Sequence, residues 1–179
     1  MSIKRYIANK DTTITNAFRN NLTERAEDAN IGAADSLELF SVYNRLNDSA
    51  LETEKSRILV QFPVEQIVSD RAISKVPQSG SMKFFLRMFN VKHPHTLPKD
   101  YKIHISNLTK SWDEGYGLDM ENYTDLGWKS TSDSGYGATW RYDKSGSVWP
   151  IPDAFTSMKY NLDYTFNNGT EDLELDVTD

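Results

Sequence analysis

Acidic residues and glycines are clustered in one short stretch of this chain. The carboxylates there are those of Asp113, Glu114, Asp119, Glu121 and Asp125, with Gly115 and Gly117 among them. Carboxylate oxygens on a flexible loop are the ligands that calcium prefers. The stretch lacks the D-x-D-x-D-G run of an EF-hand, so solvated loop carboxylates that cap local turns are the favoured interpretation and a calcium site is the alternative. We take Asp113, Glu114, Asp119 and Glu121 as candidate ligands of a structural calcium ion, and predict no other cofactor.

Other groupings of reactive side chains give weaker signals. His93, His95 and His104 could supply three nitrogens to zinc, but the first two flank a proline in a loop and are better explained as exposed residues. The chain has no cysteine, which excludes disulfides and thiolate chemistry. A G-x-S-x-G nucleophile motif is absent, and the separation of carboxylate pairs, which glycoside hydrolysis requires, cannot be read from sequence. We predict that the protein is not an enzyme.

Aromatic residues are concentrated between residues 112 and 152, where all four tryptophans lie. Their rings could stack on sugars, pack a long loop onto the fold, or anchor a protein interface, where Trp and Tyr are enriched. Two further aromatics lie on the mixed second face of a predicted strand at 81–91. The candidates for an interface or for glycan stacking are Trp112, Tyr116, Trp128, Tyr136, Trp140, Trp149, Phe85 and Phe89.

The segments that must position these side chains read mostly as β-strands. Alternating or β-branched runs predict strands at 12–16, 36–43, 57–62, 81–91, 101–105, 159–166 and 171–177. The turn at 167–170 predicts that the last two strands form a hairpin. Apolar spacing predicts a short helix or turn at 64–76, and a short helix is also considered at 50–54. The predicted fold class is all-β, an antiparallel β-sandwich of jelly-roll type with long loops, the longest at about 112–152.

Period-two alternation also predicts which side chains form the core. The expected buried set is Leu37, Leu39, Ile58, Val60, Phe62, Phe84, Leu86, Ile103 and Ile105. A shift of one residue would instead expose this set and bury its neighbours, so burial tests the register.

Length and charge limit the classes of partner. A chain of 179 residues suits a single domain over 1–179. The net charge is −6 and the 20 Lys and Arg residues are scattered, which argues against nucleic acid as a partner. The N-terminus lacks the apolar core of a secretory signal, and no apolar run is long enough to span a membrane. We therefore expect synthesis and retention in a cytoplasm until assembly or lysis, with no membrane partner.

Several segments together resemble a known family. They are DTTI at 11–14, NIG at 30–32 before LEL at 37–39, RILVQF at 57–62, WDEG at 112–115 and DLELDVT at 172–178. This pattern is similar to that of DNRLRE-type β-sandwich modules, which resemble carbohydrate-binding modules. The longer run SWDEGYGLDME at 111–121, with the Trp-rich stretch beyond it, looks most like structural proteins of tailed bacteriophages. The resemblance covers nearly the whole chain.

The resemblance implies a non-enzymatic virion component, in the head decoration, neck or fibre, that attaches to other virion proteins and to copies of itself. A carbohydrate-binding module for a host surface glycan is the alternative, and a fragment of a polysaccharide lyase or hydrolase is a third. The family usually continues beyond the D-V-T segment, whereas this sequence stops at Asp179. We therefore expect either a longer parent protein or another subunit to cover the edge formed by 171–177.

Overall fold

The computed structural model describes residues 3–19, 22–47, 50–77, 80, 82–92, 97–118, 137–144, 146–150 and 161–178, with the backbone alone for 44–47 and 50–52. The elements are β1 (Lys10–Thr15), β2 (Ser41–Asn47), β3 (Ala50–Gln61), α1 (Val64–Ala72), β4 (Phe85–Met88), β5 (Tyr101–Ser106), β6 (Tyr142–Lys144), β7 (Ser147–Val148), β8 (Asn161–Phe166) and β9 (Leu173–Asp176).

The β-rich fold class is confirmed, and every ladder between the described strands is antiparallel. The strands form a three-stranded sheet in the order β1-β3-β2 and three two-stranded sheets, β4-β9, β5-β8 and β6-β7. The described residues show no sandwich or jelly roll. Two of these strands, β6 and β7, lie inside the stretch predicted as one long loop, so that part of the stretch has regular structure.

The chain divides into two compact units. Unit 1 contains residues 1–63 and 110–152, and unit 2 contains 64–109 and 153–179. Each unit is built from two separate stretches of sequence, because the chain leaves unit 1 after β3 and returns to it before β6. The prediction of a single domain over 1–179 is not tested by this division and stays a prediction.

In unit 1, the long strand β3 pairs with β1 along one part and with β2 along the other. Thr12 lies opposite Leu59, and Val42 lies opposite Glu54. The four residues at 12–15 are all buried, so both faces of β1 are covered there. A strand covered on both faces loses the alternation of buried and exposed residues that sequence reasoning relies on.

Two local predictions in unit 1 are wrong. The short helix considered at 50–54 is the first part of β3 instead. The strand predicted at 36–43 begins only at Ser41. Before Ser41, the side chain of Ser56 bonds to the backbone of this segment. Its hydroxyl accepts a bond from the Phe40 N–H at 2.7 Å and donates one to the Glu38 carbonyl at 2.9 Å.

The helix predicted at 64–76 is confirmed as α1, which ends at Ala72 for a local reason. Ser74 has a φ of 59°, in the left-handed region, and its N–H donates to the Arg71 carbonyl at 3.1 Å. The Lys75 N–H donates to the Asp70 carbonyl at 2.9 Å. This is the Schellman pattern of helix termination, with serine in the place that glycine usually takes. No helix in the described part of the chain is long and apolar enough to cross a membrane.

The sheets of unit 2 correct the hairpin prediction. The strands β8 and β9 flank the turn at 167–170 as expected, but β8 pairs with β5 while β9 pairs with β4. Within the turn, the Glu171 carboxylate accepts bonds from the N–H groups of Asn168 and Thr170 within 3.2 Å. The turn's donors therefore bond to a side chain, and the two strands enter different sheets.

The predicted core set is wrong as a description of the interior. None of its nine members is fully buried, and Leu39 is 47% exposed. In β3 the buried apolar residue is Leu59, whose neighbours Ile58 and Val60 are half-buried. The alternation itself holds in β4 and β5, where the predicted residues form the less exposed face. The described core consists instead of Ile14, Ala17, Ala26, Ala29, Ile31, Leu59, Trp112, Ala138 and Trp149 in unit 1 and Val76, Phe166 and Leu173 in unit 2.

Candidate functional site

The aromatic and acidic stretch is organised in unit 1 around the buried side chain of Asn30. Its amide donates to the Glu114 carbonyl at 2.7 Å and to the Ala138 carbonyl at 2.9 Å. Its oxygen accepts bonds from the N–H groups of Gly117 at 2.9 Å and Gly32 at 3.3 Å. One side chain thus joins three separate stretches of the sequence. The backbone approaches so closely that a Cβ added at Gly117 would lie 1.6 Å from the Asn30 carbonyl oxygen.

Two of the predicted aromatic residues are part of the interior of unit 1. Trp112 is 4% exposed and Trp149 is 5% exposed. The Trp149 indole N–H donates to the Thr139 carbonyl at 2.9 Å, which satisfies its polar edge. The Lys10 ammonium lies 5.9 Å from the centre of a Trp112 ring. Neither face of these indoles is open to a ligand in the folded unit.

The remaining aromatics of this stretch differ in exposure. Trp140 is half-buried, and the Arg57 guanidinium lies 4.2 Å from the centre of its ring, so a cation occupies one of its faces. Tyr116 is 76% exposed. Trp128 and Tyr136 lie outside the described residues.

The candidate calcium ligands are only partly within the described structure. Glu114 is already engaged, because its Oε1 accepts the Asp11 N–H at 2.8 Å. Asp113 is exposed, and its backbone N–H donates to the Asp143 carbonyl at 3.1 Å. Asp119 and Glu121 lie outside the described residues. Among the residues that are described, no group of three or more His, Cys, Asp or Glu side chains could hold a metal ion.

The histidine grouping cannot be assembled from the described residues, because His93 and His95 lie outside them. His104 is exposed in β5, where its Nδ1 bonds to the Asp163 carboxylate on β8. This bond, together with the nearby Lys102 ammonium, lowers the pKa of Asp163 below its ordinary value. The arrangement is a cross-strand ion pair of the kind that stabilises sheets.

Charged residues that sequence reasoning did not single out surround a depression of about 350 Å³ on unit 1. Arg19 pairs with Asp28 at 3.0 Å, and Arg141 pairs with Glu27 at 3.0 Å. These pairs leave the lining close to neutral. The partners Arg141 and Glu27 are 114 positions apart in the chain, so no spacing signal could have revealed them.

Unit 2 exposes two phenylalanines along one strand. On β4, Phe85 is 50% exposed and Phe89, directly after the strand, is 73% exposed. Arg87 lies between them and pairs with Glu174 on β9 at 3.0 Å. The other exposed large apolar residues of unit 2 are Val64, Val68, Ile73 and Val91.

The helix α1 also exposes apolar side chains. Val64 and Val68 of α1 are 63% and 59% exposed, whereas Asp70 is buried. The apolar spacing that predicted the helix therefore does not mark a face that is packed against the described residues. Near its end, Arg71 lies 5.8 Å from the centre of the Phe84 ring, on the side of the strand opposite to the exposed phenylalanines.

Comparison with known proteins adds no family assignment. No protein-family model matches the chain, and neither a curated protein nor a solved structure matches it significantly. The function must therefore be argued from the residues and their geometry.

Proposed function

We propose that the protein is a non-enzymatic structural component of a tailed-phage particle that acts through protein–protein attachment. The observation that carries this proposal is the balance of apolar side chains in unit 2. Its described residues bury only three, those of Val76, Phe166 and Leu173, but expose six large ones. Ordered apolar groups exposed in such excess are typical of surfaces that another protein covers.

The sequence supports the same reading. The resemblance to DNRLRE-type modules of phage structural proteins implies assembly rather than catalysis. A net charge of −6 disfavours nucleic acid as the partner. The jelly-roll sandwich belongs to this proposal too, and the antiparallel pairing of the described ladders supports it.

Glycan recognition is the weaker alternative, because the aromatics that suggested it are unevenly accessible. Trp112 and Trp149 are buried, and Arg57 covers one face of Trp140. A stacking platform needs an open ring face, which leaves Tyr116 as the exposed aromatic among the described residues of that stretch. Phe85 and Phe89 suit a protein partner better, because exposed apolar side chains with the Arg87–Glu174 ion pair between them match the apolar core and polar rim of protein interfaces.

The test is quantitative mass spectrometry of particles purified through a density gradient from the lysate that produces the chain. The proposal predicts a fixed ratio of this chain to the major capsid protein across the particle fractions, with a non-structural protein of the same lysate as the negative control. Presence in the lysate but absence from the particles would overturn it. Binding to a glycan array by a chain that is absent from particles would favour the carbohydrate-binding alternative.

A further inference from the structure

The outer edge of β4 has no partner strand among the described residues, which pair β4 with β9 alone. The hydrogen bonds show which backbone groups point outward. The Val177 N–H donates to the Phe84 carbonyl at 2.8 Å, and Leu86 lies opposite Leu175. Because paired and unpaired positions alternate along an antiparallel strand, the N–H and C=O groups of Phe85, Arg87 and Phe89 point to the open edge.

The sequence along this edge is self-complementary. Residues 85–89 read Phe-Leu-Arg-Met-Phe. When two copies of this segment run antiparallel with Arg87 opposite Arg87, each Phe85 lies opposite Phe89 of the other copy, and each Leu86 lies opposite Met88. Aromatic cross-strand pairs stabilise a sheet. The three outward-pointing residues become hydrogen-bonded pairs in this register, each exchanging two N–H···O bonds.

In this register the two Arg87 side chains lie opposite each other, and their repulsion is reduced because each has partners in its own chain. Arg87 already pairs with Glu174 at 3.0 Å, and its guanidinium lies 5.8 Å from the centre of the Phe89 ring. The outer edge of β9 is a poorer choice for the same pairing. There, the outward-pointing residues are Glu174 and Asp176, which also have partners within the chain, Arg87 and Lys83. Antiparallel pairing centred on Leu175 would nevertheless create two like-charge contacts instead of one, and it would offer no aromatic cross-strand pair.

The edge of β4 is short, at four residues, but it lacks the other features that usually protect an open strand. Neither a proline nor a bulge interrupts β4, and its one charged side chain is neutralised by β9. The sheet it belongs to has only two strands, which is marginal for stability in water. Pairing through β4 would turn two such sheets into one of four strands, in the order β9-β4-β4-β9.

We propose that β4 pairs with β4 of a second copy of this chain across a two-fold axis at Arg87. This inference rests on the proposed attachment role of the same surface and names its partner. It assigns Phe85 and Phe89 as the residues that set the register. A two-fold contact of this kind is closed, because the same strand serves both partners.

The test is the mass of the whole chain in solution by analytical ultracentrifugation over a range of concentrations. We expect a concentration-dependent species of about 41 kDa, twice the 20.5 kDa of one chain. In the double variant Phe85→Lys with Phe89→Lys, lysines face each other in the proposed register, so the dimer should be lost. The matched control is Val148→Lys, an exposed strand residue of unit 1 at 58% exposure, which should leave the dimer intact.

A third variant tests the register itself. Phe85→Lys combined with Phe89→Glu places opposite charges across the two-fold axis, so dimerisation should return. A parallel pairing would instead bring like charges together and give a monomer. Circular dichroism and thermal unfolding check that each variant is folded. Both phenylalanines are exposed, so we expect their replacement to leave the fold intact.

A wild-type chain that stays monomeric, or a dimer that survives the double-lysine change, overturns the inference. A monomeric chain that still enters particles would leave the proposed function standing with a different partner. A dimer that is absent from particles would overturn the function alone.

Discussion

At the scale of single residues, Asn30 holds together the part of the chain in which sequence reasoning looked for a site. Its side chain makes four hydrogen bonds to backbone groups, and Gly115 and Gly117 leave it the space to do so. Buried polar groups that lose such partners are costly. The glycines among the acidic residues therefore have a packing role, whereas their spacing in the sequence suggested a flexible loop.

Replacing Asn30 should therefore destabilise unit 1. The variant Asn30→Ala leaves the N–H of Gly117 and the carbonyls of Glu114 and Ala138 without their partner. We expect the free energy of unfolding to fall by about 3 kcal/mol in urea titrations. The control Asn9→Ala changes an exposed side chain and should alter it by less than about 0.5 kcal/mol. Equal effects of the two changes would contradict the role given to Asn30.

The Asp11 carboxyl should make the free energy of unfolding fall as the pH rises, whereas a carboxyl with a lowered pKa makes it rise. Burial, and then the negative charge of Glu114, raise the pKa of Asp11 above its ordinary value of 3.8. The folded state then holds this proton more tightly than the unfolded state, so the group's contribution to stability falls as the pH rises from about 3.8 through the folded pKa.

Removing that charge should stabilise the fold at neutral pH. We expect Asp11→Asn to raise the free energy of unfolding at pH 7, and the gain to shrink as the pH is lowered toward 4. Urea titrations at several pH values measure this. Asp35→Asn, at an exposed position, is the control and should give no such trend. A loss of stability in Asp11→Asn at pH 7 would show that the carboxylate is favourable where it lies.

At the scale of elements, sequence periodicity located most strands but not their partners. The strands β5, β8 and β9 lie close to where alternation predicted them, because each has one face more exposed than the other. It also located β1 and the second part of β3, at 12–16 and 57–62, but in β3 it gave the wrong buried residues, because Leu59 is buried and Ile58 and Val60 are half-buried. It also could not reveal that β8 and β9 join different sheets, since that depends on their pairing with the distant strands β5 and β4.

The turn between β8 and β9 gives a test at this scale. The Glu171 carboxylate is bonded by its own N–H and by those of Asn168, Asn167 and Thr170, which lowers its pKa below the ordinary 4.5. Because the folded pKa is lowered, the stabilisation is present above about pH 4.5 and is lost as the pH falls through the folded pKa. The Asn168 amide resonance should therefore titrate with a midpoint below 4.5.

The variant Glu171→Gln should abolish that titration of the Asn168 amide in NMR spectra. Glu65→Gln, an exposed glutamate in the first turn of α1, should leave it unchanged. A midpoint at or above 4.5 in the unmodified chain would contradict the bonding of the carboxylate to the turn.

At the scale of the whole molecule, the two units differ in how their apolar residues are used. Unit 1 buries aromatic and aliphatic side chains around β1 and β3, including two of the predicted site residues, Trp112 and Trp149. Unit 2 leaves Phe85 and Phe89 exposed on a sheet of two strands. Composition located these aromatics but could not separate those that pack inside from those that face outward, because exposure depends on pairing between distant parts of the chain.

The most direct measurement of the central claim is a cryo-electron microscopy map of the purified particle. We expect density for this chain at symmetry-related positions, with Phe85 and Phe89 buried in contacts between protein subunits. A map in which every protein is assigned and this chain has no place would contradict the proposed function. A map in which the chain is present with both phenylalanines facing solvent would contradict attachment through β4.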